Sequence, residues 1–420
     1  MSDDFDATLT RVLSAIRRRD ASTAIAQLQR VFEFPAVPSD ASRFRAALSA
    51  LGETLASYES PNTARVRAAA SASDDPAALF DAAYGLIDEG YAGFAATVLQ
   101  RAHALNPNDE KTLSELATAL EVAGDYASAA LTLEERPPAL ADSFLLRYLH
   151  AFLSALAGDL EPALRESEPL QAAAGDDAQR FMAERLAGVA ARARTLRGTL
   201  PLGADDTRGW HALLFGGLLL NKVAGDPRGR AQKLSDDWSG CRTAIERLKL
   251  HLAALDLQPD RVWVLTADPS SAALALATAR RLGLEAVPWP AEGSDRPGLI
   301  PVYDLKAIPT DLENGYRNHQ PRQILWDRAA RWTIGYRFTA DLTDTFCNDV
   351  VAPWGKVRIG DESATPEAWA DRIERADLGE VALAPDVVAA ARALQPLGER
   401  GAGVWRRVGP RVKRWPWAVL

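Results

Sequence analysis

The segment "TADPSS", Thr266 to Ser271, places a carboxylate at Asp268 and hydroxyls at Ser270 and Ser271 within six residues. Its backbone N–H groups and hydroxyls, at the start of a helix, are the chemistry of a phosphate cradle. A further acid, Asp304, stands at the end of the apolar run "GLIPVYDL". Asp268, Ser270, Ser271 and Asp304 are therefore the candidate ligand-binding residues. A third group of acids, Asp341, Asp344 and Asp349 with Asn348, lies in "RFTADLTDTFCND". Mg²⁺ favours few protein carboxylates together with a phosphate ligand, so this group reads as a solvated loop or a helix cap. Asp236 and Asp237 read as a first helical turn, favoured there by the helix dipole.

Other chemistries lack their residues. No G-x-x-x-x-G-K-S/T loop and no G-x-S-x-G elbow occurs. His103, His150, His211, His251 and His319 form no H-x-x-x-H, and neither Cys241 nor Cys347 lies in a C-x-x-C. No catalytic residue, metal or cofactor is expected, and His150 reads as a helix-packing or surface residue.

The candidate residues need elements to position them. "SGCRTAIERLKLHLAALDL" carries Ile245, Leu248, Leu252 and Leu255 at helical spacing. The strand "RVWVLTA", the helix "SAALALATARRLG", the strand "EAVPW", the run "GLIPVYDL" and the strand "RQILW" follow. This alternation predicts a mostly parallel sheet with helices on its faces. Ligands of such sheets sit at the carboxyl ends of strands, so the loop Ala267–Ser271 is expected to face the loop after Tyr303. "RGWHALLFGGLLLNK" reads as a strand or a buried hairpin.

Composition divides the 420 residues in two. All 11 Trp fall between Trp210 and Trp417, while the first half is rich in Ala, Leu and Arg. The stretch "TLRGTLPLGADDTRG", residues 195–209, holds turn residues between periodic segments. The expected organisation is a helical repeat domain over residues 1–195 and an α/β domain over residues 205–420. The net charge of −8 disfavours non-specific binding to nucleic acid. Two Cys, an acidic N-terminus without an apolar core and no long apolar run suggest a cytoplasmic protein without a membrane span. Heavy use of Ala and Arg suggests a bacterial source.

The first half repeats. Gly90, Gly124 and Gly158 recur at 34 residues, as do Ala95, Ala129 and Ala163, and Ala83, Ala117 and Ala151. Short side chains let antiparallel helices approach, and Gly suits the turn between them. With this period, residues 76–172 resemble tetratricopeptide repeat proteins. Arg147 and Ser154 depart from the apolar pattern in the third unit. "LTRVLSAIRRRDASTAIAQLQRVF" reads as an upstream helix pair out of phase, and "DDAQRFMAERLAGVAARARTL" as a closing helix. The resemblance implies a stacked array whose groove binds a protein partner.

The order of elements from Val262 to Asp304 resembles type I phosphoribosyltransferases. The resemblance implies pyrophosphate on "TADPSS", ribose hydroxyls on an acidic pair at Tyr303 and Asp304, and a Thr-Gly phosphate loop near Ile308 and Pro309. Tyr303 replaces one acid, Pro309 has no N–H, and no glycine follows Thr310 closely. The implied site is degenerate.

The last twenty residues carry Arg406, Arg407, Arg411, Lys413 and Arg414 without an acid, punctuated by Trp405, Trp415 and Trp417. They read as a segment pinned to the acidic remainder, or as a basic aromatic tail for an acidic partner or a membrane surface. The leading expectation is a protein-interaction or scaffold protein, with a non-catalytic or weakly ligand-binding α/β domain. The alternative is a phosphoribosyltransferase-like or nucleotide-binding enzyme or sensor.

Overall fold

A computed structural model describes residues 2–34, 36–226, 229–308, 322–331, 339–355 and 365–397. Pro309, Thr310, His319 and the basic C-terminal segment lie outside the described residues. The chain divides into two compact units, Met1–Pro162 and Ala163–Leu420.

The first unit is helical. Its elements are α1 (Ser2–Arg17), α2 (Ala21–Phe32), α3 (Ala41–Ala56), α4 (Thr63–Ser71), α5 (Pro76–Asp88), α6 (Ala92–Leu105), α7 (Glu110–Ala123), α8 (Tyr126–Glu134), α9 (Pro137–Asp142) and α10 (Phe144–Leu156). Helix α11 (Glu161–Ala173) spans the division. Acids and a serine set the helix starts. The Asp75, Asp109 and Ser143 side chains accept from Ala77, Thr112 and Leu146 amides at 3.0, 3.2 and 3.4 Å. Each such cap satisfies an amide that the helix leaves orphaned. These caps are 34 residues apart, so α5, α7 and α10 begin in phase. Gly90, Gly124 and Gly158 follow with φ of +85°, +83° and +98°, a region that side chains with a Cβ rarely adopt. The six alanines of the repeat are fully buried. Successive pairs pack α3 on α4, α5 on α6 and α7 on α8, with α6 on α7 and α8 on α10 joining them. The third unit keeps its phase despite Arg147 and Ser154, and the short α9 is inserted before it.

The second unit holds α12 (Asp177–Leu196), α13 (Thr207–Phe215), β1 (Leu218–Leu219), β2 (Ala231–Ser235), α14 (Trp238–Ala254), β3 (Arg261–Val264), α15 (Pro269–Leu282), β4 (Glu285–Pro288), β5 (Gly298–Val302), β6 (Gln323–Arg331), β7 (Leu342–Val351), α16 (Pro366–Arg375) and α17 (Pro385–Leu394). Every pairing among its strands is parallel, in the order β1-β7-β6-β5-β3-β4. Cys347 pairs with both Arg331 and Ala231, so β2 continues β1 along the edge of β7 opposite β6. Helix α15 packs on β3, β4 and β5, with α14 and α16 beside it. Trp263, Ile300, Val302, Leu325 and Phe346 anchor the core.

Three readings change. "RGWHALLFGGLLLNK" is mostly helix: Asp206 caps α13 through the Gly209 amide at 3.0 Å, and the helix ends at Gly216 with φ +69°. From Asp341 on, the stretch "RFTADLTDTFCND" is neither a loop nor a helix cap but runs into β7; Asp341 and Asp344 are buried and only Asn348 and Asp349, toward its end, are exposed. Helix α12 packs within the second unit rather than closing the first. Its buried Arg192 donates to the carbonyls of Leu213 and Leu214 at 2.6 and 2.9 Å, holding it against α13.

Candidate functional site

Strands β4 and β5 leave β3 on opposite sides. In a parallel sheet this reversal opens a crevice above the carboxyl end of the central strand. The four candidate residues lie there. Asp268 caps α15, accepting from the Ser271 amide at 3.0 Å and from the Ser271 hydroxyl. The Ser271 hydroxyl, fully buried, accepts in turn from the Tyr303 amide at 3.0 Å. The two loops thus meet. Ser270 accepts from the Trp354 indole at 3.1 Å. Asp304, one residue beyond Tyr303, accepts from the Lys306 amide at 2.9 Å and pairs with Arg331 at 3.1 Å. All four are engaged within the chain. Any anion would have to displace these bonds beside two carboxylates.

Beneath the crevice lies a network. Val302 is in register with Asp327, and Asp327 with Thr343, so Tyr303, Arg328 and Asp344 stand in line across β5, β6 and β7. The Arg328 guanidinium donates to Asp344 at 2.8 Å and to Asp236, just past β2, at 2.7 Å. The other Asp344 oxygen accepts from Arg247 of α14 at 2.6 Å. The Tyr303 hydroxyl and the Cys241 thiol donate to the second Asp236 oxygen at 3.0 and 3.4 Å.

Two cations and two anions therefore balance. Burial works against the charge on Arg328, and Asp236 and Asp344 more than offset it, holding its pKa above the ordinary value. Burial, then Asp236, keeps the Tyr303 phenol neutral. Burial and Asp236 likewise raise the Cys241 thiol, so it is not a poised nucleophile. Cys347 is pushed up to about 12, by burial first and then Asp327. The arrangement clamps β2, α14, β5, β6 and β7 together. Sequence reasoning missed Arg328 and Asp344 as partners. The available signal was charge inside an otherwise apolar run, "RQILWDRAAR".

Aromatic rings cover the rim. Trp354 stacks on Trp369 with centroids 4.9 Å apart and planes at 8°, and meets Tyr303 at 4.9 Å and Trp238 at 5.8 Å. Among the described residues, no group of three His, Cys, Asp or Glu could hold a metal ion.

In the first unit, Phe80 and Tyr84 are one turn apart on α5, and the Lys111 ammonium of α7 sits 4.4 Å from the Phe80 ring centroid. Tyr84 remains 48% exposed and Leu145 39%. Ala77, Lys111 and Leu145 occupy the same repeat position, so these side chains belong to one face of successive first helices. Among the described residues, no helix is long and apolar enough to cross a membrane. The chain matches no family model, no curated protein and no solved structure.

Proposed function

We propose that this chain is a protein-interaction scaffold: a tetratricopeptide-like array that binds a protein partner, joined to a non-catalytic α/β unit. The observation that carries the reading is the exposure of Tyr84 and Leu145 on first helices held in phase over Ala83, Ala117 and Ala151. Large exposed apolar side chains beside a cation suit a partner's apolar anchor and its acidic neighbours. The buried charge balance around Arg328 supports a structural α/β unit. Its free, buried thiols fit a cytoplasmic setting.

The test is affinity purification from the native host with quantitative mass spectrometry, comparing wild type with the double variant Tyr84→Ser, Leu145→Ser. At least one co-purifying protein should fall tenfold or more. An unchanged set of co-purifying proteins would remove the first-helix face from the reading.

A second reading, a phosphorylated or nucleotide ligand at the sheet's carboxyl end, draws on the meeting of the Ser271 and Tyr303 loops. It ranks below the first because Asp268 is already bonded to Ser271, Ser271 to the Tyr303 amide, and Asp304 to the Lys306 amide and Arg331.

A further inference from the structure

The first unit contains a groove of about 740 Å³ between the end of α2, the outer side of α6 and the turn after α7. Its floor is apolar, with Phe32, Phe94 and Leu120 buried beneath it. Phe32 and Phe94 pack with ring centroids 4.9 Å apart, which fixes the floor's shape. The lining includes Glu33, Asp125, Gln29 and Gln100, but no Lys, Arg or His; one Asp125 oxygen caps α8 through the Ser128 amide at 3.1 Å, and the Glu33 carboxylate is on the exposed rim.

Gly93 adds an independent observation. It lies in the first turn of α6, lines the groove, and a Cβ built on it meets nothing within 4 Å. Its φ is not left-handed, so the backbone does not require glycine. Helix propensity disfavours glycine against alanine. A Cβ there would stand in open space at the groove, so only a large side chain would obstruct it.

We infer that this groove docks a cationic peptide segment bearing an aromatic or long aliphatic side chain. The apolar side chain would seat over Phe32 and Phe94, and Lys or Arg would face Glu33 and Asp125. Gln29 and Gln100 are exposed and can bond peptide backbone. From Gly93 to Gln100 the α6 axis runs about 10 Å at 1.5 Å per residue, the reach of three extended residues. The carboxylates repel phosphates, so a nucleic acid or an anionic lipid surface does not fit. Neither Tyr84 nor Leu145 lines this groove, so the inference and the first-helix reading fail separately.

The test uses the full chain to select from a displayed library of random twelve-residue peptides. Enriched peptides should carry excess Lys or Arg together with Trp, Phe or Leu. Gly93→Trp, which places a bulky ring in the groove, and Glu33→Lys, which reverses its rim charge, should each weaken the enriched peptides tenfold or more. Thermal unfolding and circular dichroism check that both variants fold. If Gly93→Trp does not, Glu33→Lys on the exposed rim decides. The inference is overturned if no peptide is enriched, if enriched peptides lack positive charge, or if they bind the folded variants within twofold of wild type.

Discussion

Arg328 and Asp344 face each other across β6 and β7 at 2.8 Å, with the Arg328 side chain 4% exposed and the Asp344 side chain wholly buried. Burying such a pair costs solvation that the mutual attraction only partly returns. The pair persists because each member has a second opposite charge: Asp236 for Arg328 and Arg247 for Asp344. Position follows from the register. Tyr303, Arg328 and Asp344 occupy one line across three strands, and α14 brings the second cation, Arg247, to them.

Removing Arg328 should therefore be severe. Arg328→Met leaves Asp236 and Asp344 buried without their shared cation, and breaking a buried pair in this way costs about 3–5 kcal/mol. Denaturant unfolding of the variant measures the loss. Adding Asp236→Asn and Asp344→Asn should restore part of it, since neutral amides need no counter-charge. A single-variant loss under about 1 kcal/mol would show that the network is not the clamp.

The repeat makes a packing prediction. Ala129 is fully buried between close helices, so Ala129→Leu should destabilise by about 1–3 kcal/mol through overpacking. Gly124→Ala should cost about 1–2 kcal/mol, because it forces a Cβ into φ of +83°. Leu131→Ser, at a site 55% exposed, should stay within about 0.5 kcal/mol. Equal effects at all three sites would undo the assignment of the 34-residue phase to helix contacts.

Such features were legible in the sequence because they are local and periodic. Gly124 marks its turn, Asp109 its cap and Ala129 its contact, each by residue type and spacing. The alternation of strands and helices from Val262 to Trp289 was legible for the same reason. Partnership across the sheet was not. Nothing near Asp344 in sequence shows that Arg328 lies opposite, since the register of two parallel strands is set in three dimensions. Asp344 looked solvated because its counter-charges come from β6 and α14. The helix α13 was misread because "HALLF" is apolar on every side, and a buried helix and a buried strand share that pattern.

His251 sets a pH dependence. Its Nε2 accepts the Ala384 amide at 3.2 Å, so Nδ1 carries the proton and donates to the Arg247 carbonyl at 2.8 Å. Burial chiefly, helped by Arg208 and Arg247 and opposed by that carbonyl and by Asp344, holds its pKa below 6.5. Below that value the unfolded chain takes up a proton that the folded chain refuses. Stability should be level above about pH 7 and should fall as the pH drops through 6.5, by up to about 1.4 kcal/mol per unit. The loss should level off only below the folded pKa. His251→Gln should reduce this dependence between pH 7.5 and 5.5, measured by denaturant unfolding. An identical slope in wild type and variant would assign the dependence to other groups.

Residues 197–205 should be the first site of limited proteolysis. They are exposed at most positions, and turn residues in exposed loops are preferred cleavage sites. The nicked halves should nevertheless stay together, because Arg192 on one side of the cut holds the Leu213 and Leu214 carbonyls on the other. Gel filtration of nicked protein should give one species, separating only in denaturant. Spontaneous separation would mean that α12 belongs with the helical unit after all.

The crevice above β3 gives the last prediction. A working phosphate site there would be stabilised by phosphoribosyl pyrophosphate with Mg²⁺, and a ligand at 100 times its Kd adds about 2.7 kcal/mol, a clear rise in Tm. The expected result at millimolar ligand is no rise. The Ser271 amide is bonded to Asp268, and the Ser271 hydroxyl serves both Asp268 and the Tyr303 amide. An incoming phosphate would have to break these bonds while approaching the carboxylates of Asp268 and Asp304. Asp304 is itself tied to Arg331 at 3.1 Å, so that cation is already paired. Inorganic phosphate and sulfate should be equally without effect. A rise with phosphoribosyl pyrophosphate that disappears in Asp304→Asn would reverse the ranking, placing a ligand at the carboxyl end of the sheet ahead of a purely structural α/β unit.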